Sequence, residues 1–206
     1  MTADDMIYLA SKSPRRQELL NQIAVRFCLL EAPAQDTVHA DMIDETVRSG
    51  ENALDYVSRL AREKAQYAWR FLASTDKKRY PVLTADTTVT IDRQILGKPA
   101  NRNEAFDMLS ILSGRTHQVL TAVAVIYDER LWQTVQVSDV TFATLTPEQI
   151  SAYTDTGEPY DKAGGYGIQG LAGKFISGIQ GSYSGIMGLP LYETTVLLRK
   201  AGVLIP

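Results

Sequence analysis

Two long runs of β-branched and apolar residues, Thr116 to Tyr127 and Leu131 to Leu145, flank the polar triplet Asp128-Glu129-Arg130. Runs of that kind around a short turn pair as a hairpin. Any fold for this chain must therefore accommodate a long antiparallel ribbon. Helical patterns lie on both sides of it. Asn52 to Leu72 places Val57, Leu60, Ala61, Lys64, Ala68 and Leu72 on one face. Asn103 to Leu112 reads as a shorter helix that Gly114 can stop. Thr146-Pro147-Glu148-Gln149 is a capping box that opens a helix to about Thr154, and Leu191 to Lys200 reads as a closing helix. Further strands are expected over Ile7 to Ala10, Val25 to Leu30 and Tyr80 to Ile91, with Ile95-Leu96 returning after a turn at Asp92-Arg93-Gln94. Helices and long strands are mixed, so the class is α/β or α+β. Neither an internal repeat nor a linker interrupts the 206 residues, which read as one domain over 1–206 or two small lobes.

Charge and cysteine content remove several function classes. There are 21 Lys+Arg against 24 Asp+Glu, a net charge of -3 and a pI near 5.4. A mildly acidic chain is a poor general nucleic-acid binder. No run approaches the ~18 apolar residues of a membrane span. Met1 to Met6 carries two acids and no basic residue, unlike a signal peptide. Cys28 is the single cysteine, which suits a reducing compartment, and its apolar strand suggests a core position. The expected address is the cytoplasm. His39 and His117 are too separated for a metal site and read as structural or exposed.

Three segments break local rules or gather chemistry. In Ser11-Lys12-Ser13-Pro14-Arg15-Arg16, Ser13 and Pro14 signal a helix start just after a buried strand. Two arginines in the first turn are disfavoured by the helix dipole. A polyphosphate bound there would reverse that penalty, because free backbone N–H groups and forked guanidinium donors suit phosphate oxygens. The bland alternative is a solvated helix start. Asp86 follows Val82-Leu83 on the inner part of a strand, where a carboxylate must be paired, bind a metal or face a cleft. Lys64 lies within an apolar stripe, and either snorkels out at its edge or points into a cleft. Ten of the 14 glycines fall between Gly157 and Gly188. They include Asp161-Lys162-Ala163-Gly164-Gly165-Tyr166-Gly167-Ile168-Gln169-Gly170, which is neither a Walker loop nor a dinucleotide fingerprint. It reads first as a packed connection, although the Gln169 amide could read a base edge. Glu31 to Gly50 is a polar, acidic stretch of lid or binding-loop length.

Together these segments resemble the Maf family of nucleoside triphosphate pyrophosphatases. The matching pieces run from Leu9-Ala10-Ser11-Lys12-Ser13-Pro14-Arg15-Arg16 through Arg62-Glu63-Lys64-Ala65, Ala85-Asp86-Thr87 and Gly97-Lys98-Pro99. They continue with Ser113-Gly114-Arg115-Thr116-His117, the Lys162 to Gly170 segment and Gly188-Leu189-Pro190-Leu191, in family order from about Ile7 to Leu198. The resemblance implies an α/β fold: an elongated mixed sheet flanked by helices, in two lobes with a central cleft, like inosine triphosphate pyrophosphatases. It implies hydrolysis of the α–β phosphoanhydride bond of a nucleoside triphosphate, assisted by Mg²⁺ or Mn²⁺. By position, Asp86 matches the general base and metal-linked acid. Ser11, Arg16, Lys64 and Lys98 match phosphate-binding positions. Asp36 stands where the family's acidic loop usually ends in a glutamate, a departure one methylene shorter at an expected second metal position. Arg15, Thr87 and Gln169 match the specificity positions of members resembling the dTTP/UTP pyrophosphatases.

The expected partner is therefore a nucleoside triphosphate, with no nucleic acid and no membrane, and a homodimer is consistent with base rates. Two other readings stay open at this point: a 7-methyl-GTP pyrophosphatase, and a non-catalytic nucleotide-binding regulator of septum formation.

Overall fold

Residues 6–30 and 43–205, the part of the chain that the computed structural model describes, build one seven-stranded sheet. Its order is β2 (Arg26–Leu29), β1 (Met6–Leu9), β3 (Val82–Ile91), β5 (Thr116–Tyr127), β6 (Arg130–Phe142) and β7 (Ile176–Gln180). The short β4 (Gln94–Leu96) folds back on β3. β1 is parallel to both its neighbours, and from β3 outward all pairings are antiparallel. The mixed α/β class expected from the sequence is what the structure contains.

The long hairpin forms with a two-residue turn, Tyr127 facing Arg130 and Asp128 at φ +53. Arg130 thus belongs to the strand and not to the turn. β6 ends at Phe142, short of Leu145, because the chain leaves β5: the Ala143 N–H donates to the Phe175 carbonyl and the Leu145 N–H to Ser113 Oγ. The β3–β4 turn uses Asp92 and Arg93 at φ +50 and +68, the left-handed pair of a tight hairpin, so Gln94 is already strand. β2 is an edge strand, and its outer residues stay wet. Cys28 is exposed there, which corrects the core placement expected from its apolar neighbours.

Strand alternation sorts the core. On one face, even-numbered β3 and β5 residues (Val82, Leu120, Ala122, Ala124) pack under α2 (Ala53–Ala73) through Val57, Ala61, Ala65 and Ala68. On the other face there are two apolar clusters. One joins Ile7, Leu83, Ala85 and Val123 to Leu19 and Leu20 of α1 (Pro14–Gln22) and to Leu197 and Leu198. The last two lie on the closing helix, Leu191–Lys200. The second cluster joins Val89, Val119, Val140 and Phe142 to Leu109, Ile150, Tyr153 and Phe175. These come from α3 (Arg102–Leu112), α4 (Pro147–Thr154) and the glycine-rich connection.

Between the two clusters lies a polar cross-strand pair, Thr87 of β3 opposite Thr121 of β5. The sheet also has a notch beside it. β3 pairs with β1 as far as Leu83 and with β4 only from Val89, so Thr84 to Thr88 have β5 on one edge and no described strand on the other. A crevice beyond the carboxyl end of a parallel strand, where neighbouring connections diverge, is a recurrent ligand position in α/β sheets.

Candidate active site

Asp86 and Thr87 are adjacent on β3 and so address opposite faces of the sheet at the notch. Toward α2, the Thr84 hydroxyl donates to the Ala61 carbonyl at 2.8 Å, which draws the helix onto the strand. Two residues further along β3 and one turn further along α2, Lys64 Nζ donates to Asp86 Oδ1 at 2.7 Å. The Lys64 stem therefore leaves the apolar stripe into the crevice. Its ammonium also lies 2.7 Å from Glu45 Oε1. Burial pulls the Lys64 pKa down, but the Asp86 and Glu45 carboxylates outweigh it and hold it above the ordinary lysine value. For Glu45, burial pushes upward, while the Lys64 hydrogen bond and the Lys64 and Lys98 charges carry the net shift below the usual carboxylate value.

On the opposite face, Arg16 of α1 reaches Thr87. Its guanidinium donates to the Gly188 carbonyl at 2.9 Å, to Ser11 Oγ at 3.1 Å and to Thr87 Oγ1 at 3.3 Å. All three acceptors are neutral. Desolvation, with Arg15 alongside, outweighs the field of Asp86 and lowers the Arg16 pKa. A cation held by neutral oxygens is suited to an incoming anion. The buried Thr121 hydroxyl donates to the Gly185 carbonyl at 2.8 Å, so the 3.0 Å contact with Thr87 is a donation by Thr87. Thr87 is thus oriented with its lone pairs free for Arg16. The N-terminus of α1 receives no side-chain cap from Ser13 and has no acid in its first turn, which leaves its partial positive charge uncompensated.

The glycine-rich connection closes the far wall. Gly164, at φ +69, presses on Val89 so closely that a Cβ at this position would lie only 3.0–3.1 Å from the valine side chain. Its N–H donates to the Gly97 carbonyl. The segment is therefore a packed connection, as its glycine content suggested, and it also presents Gln169 to the cavity. Arg15 pairs with Asp161 at 3.1 Å, and Asp161 also accepts from Lys162.

These elements enclose one cavity of about 410 Å³. Its walls include Ser11, Arg15, Arg16, Lys64, Asp86, Thr87, Lys98 and Gln169, so residues spread over most of the chain converge. Six cationic side chains (Lys12, Arg15, Arg16, Lys64, Lys98, Lys162) line it against two acids, Asp86 and Asp161. That excess stands in a chain whose net charge is -3. That excess of positive charge is chemically suited to a polyanion.

A model of the Maf-like protein family matches residues 6–201. The chain belongs to the Maf family. A dTTP/UTP pyrophosphatase of Bordetella avium is 50% identical over 200 residues, covering 97% of each chain. A dTTP/UTP pyrophosphatase of Chromobacterium violaceum is 47% identical over 205 residues, covering 100% of this chain and 99% of that one. A nucleoside triphosphate pyrophosphatase of Haemophilus ducreyi is 48% identical over 197 residues, covering 96% and 95%.

In this Maf chain, Asp36 and His39 lie outside the described residues. The second carboxylate that the structure brings to Lys64 is Glu45, which sequence reasoning passed over. Its signal was faint: one acid among several in Asp44-Glu45 to Glu51. His117 is structural: it is 2% exposed, and Nε2 lies 2.7 Å from the Tyr166 hydroxyl. No helix among the described residues is long and apolar enough to cross a membrane.

Proposed function

We propose that this protein hydrolyses dTTP and UTP, and modified pyrimidine triphosphates, to the nucleoside monophosphate and pyrophosphate. The observation that carries this reading is the cavity's sign: six cationic side chains and only two acids line it in an acidic protein. The activities named for relatives near 50% identity over nearly the whole chain support the choice of substrate.

In this mechanism the uncapped α1 N-terminus, Arg16, Lys64 and Lys98 hold the triphosphate and offset its charge. Lys64 occupies Asp86 Oδ1, which leaves Oδ2 to orient and deprotonate the attacking water. Water adds across the α–β anhydride, its proton passes to Asp86, and pyrophosphate departs. Arg15, Thr87 and Gln169 govern base selection, Gln169 by pairing its amide with a pyrimidine edge.

The donor set suits a hard divalent cation. Asp86 and Glu45 converge on one ammonium at 2.7 Å each, and Mg²⁺ or Mn²⁺ is commonly held by one or two carboxylates together with substrate phosphates. Such an ion, when bound, supplies charge neutralisation on the phosphates. Asp36 remains a further candidate ligand by family position. Nucleotide chemistry and a single cysteine suit the cytoplasm.

The test is a panel of dTTP, UTP, CTP, GTP, ATP and 7-methyl-GTP with Mg²⁺ or Mn²⁺, assaying pyrophosphate and orthophosphate separately. Pyrophosphate from dTTP and UTP is expected. Pyrophosphate chiefly from 7-methyl-GTP would overturn the substrate assignment, and nucleotide binding without product would point to the septum regulator.

A further inference from the structure

Glu45 does not reach Lys64 from a helix or strand; it projects from an irregular stretch, and something must hold it there. The structure supplies a clamp on α2. Three consecutive carbonyls are received by two side chains one helical turn apart: Asp44 by Arg59 Nη1 at 2.8 Å, Glu45 by the Tyr56 hydroxyl at 2.9 Å and Thr46 by Arg59 Nη2 at 3.0 Å. Arg59 is 4% exposed. Its fork is fixed by a bidentate pair with Glu51, Nε to Oε1 at 2.6 Å and Nη2 to Oε2 at 2.8 Å. The guanidinium also lies over the Tyr56 ring, 5.6 Å from its centroid. Glu51 closes the same stretch from its far end by accepting the Arg48 N–H at 3.0 Å. The segment 44–51 is thus wrapped around one buried guanidinium. Lys64 lies on the same helix, beyond the clamp.

We infer that Arg59 and Tyr56 are positioning residues for the reaction: they fix the backbone of Asp44 to Thr46 so that the Glu45 carboxylate meets Lys64 and Asp86 at the phosphate end of the cavity. The inference rests on the reading of that cavity as a metal–triphosphate site. Neither residue touches the substrate; both act through Glu45. A planar fork that serves two carbonyls and a carboxylate at once cannot be replaced by an ammonium. Partners that orient a ligating carboxylate commonly change metal affinity or activity when altered.

The experiment measures Mn²⁺ affinity by calorimetry, with a non-hydrolysable α,β-methylene analogue of UTP present, alongside kcat and KM for UTP. Arg59→Lys is expected to weaken Mn²⁺ binding and lower kcat by about 10- to 100-fold. Tyr56→Phe, which removes one hydroxyl and no charge, is expected to cost about 3- to 10-fold. KM for UTP at saturating metal should move less than either. The deciding comparison repeats both changes in a Glu45→Gln background, where their effects on Mn²⁺ binding should vanish, because the carboxylate through which they act is gone. Equal losses in both backgrounds would show a merely structural clamp and overturn the inference. Wild-type Mn²⁺ affinity in Glu45→Gln alone would remove Glu45 from the site and overturn the inference, whereas the absence of Mn²⁺-dependent analogue binding in the wild-type protein would defeat the underlying reading. If Arg59→Lys does not fold, Tyr56→Phe decides by itself.

Discussion

The Lys64 ammonium donates to Asp86 Oδ1 at 2.7 Å across the interface between α2 and β3, at the one place where β3 lacks a described neighbour on its outer edge. That contact joins a helix whose N-terminal turns anchor the Glu45 stretch to a strand whose next residue accepts from Arg16. Arg16, Lys64, Asp86 and Thr87 are thereby brought to the walls of one crevice.

Replacing Asp86 with Asn retains the side-chain shape and a hydrogen-bonding oxygen but removes the base. We expect kcat for UTP to fall about 10²- to 10⁴-fold, with far-ultraviolet circular dichroism unchanged. Turnover at the wild-type rate in a folded Asp86→Asn protein would take Asp86 out of the mechanism.

Lys64→Met should act on the pH profile as well as on rate. Lys64 is among the groups that hold Glu45 below the ordinary carboxylate value. Its loss removes the hydrogen bond and charge that hold Glu45 down, so Glu45 is expected to protonate at higher pH. The acidic limb of kcat against pH should therefore shift upward. An unmoved limb, with KM raised alone, would restrict Lys64 to binding phosphate.

Arg16→Lys exchanges a fork that reaches Gly188, Ser11 and Thr87 for a single point charge. We predict a rise of about tenfold or more in KM for UTP, equivalent to losing roughly 1.4 kcal/mol or more of binding. Inorganic triphosphate should lose affinity in parallel, since the role proposed for Arg16 is to hold phosphate and not base. Unchanged inhibition by triphosphate would contradict this assignment.

The buried His117 makes stability depend on pH. Burial lowers its pKa from 6.5 to about 4, so the unfolded chain takes up the proton first as pH falls. Stability is therefore retained above pH 6.5 and lost between 6.5 and 4, by about 3 kcal/mol at pH 4 from this group. Urea unfolding from pH 7 to pH 4, with the His117 ring followed by NMR, would check it; a ring titrating near 6.5 in the folded protein would refute it.

Gly164→Ala combines two penalties, a left-handed φ of +69 and a Cβ forced to within 3.0–3.1 Å of the Val89 side chain. An expected loss of about 1–3 kcal/mol should appear as a lower Tm. Tm equal to wild type would mean that the connection can shift away from β3 freely.

Much of the frame was legible in the chain itself. Thr146-Pro147 with Gln149 marks a helix start because its capping box closes within four residues, and Ser13-Pro14 marks another through the fixed φ of Pro14, without a side-chain cap from Ser13. The hairpin runs and the Arg15-Arg16 conflict with the α1 dipole were visible for the same reason. They report local physics, and they sufficed for the mixed class, for the strands other than Ile176–Gln180 within the glycine-rich stretch, and for a phosphate-binding expectation. The family motifs then attached expected roles to Asp86, Lys98 and Gln169 by order along the chain.

Tertiary structure alone decided the rest. Sequence spacing could place Lys64 in an apolar stripe but not choose between solvent and crevice, because that choice depends on the α2–β3 register set by Thr84 and Ala61. Glu45 is one acid among several, distinguished only once Tyr56 and Arg59 capture the carbonyls around it. Thr121 reads as one more β-branched strand residue, yet it supports the polar floor between two apolar clusters. Cys28 looked like core until its strand proved to be the sheet's edge. Periodicity tells which side of an element is apolar. Which charge is desolvated, and against what, depends on how elements distant in sequence pack together, and that is settled only in three dimensions.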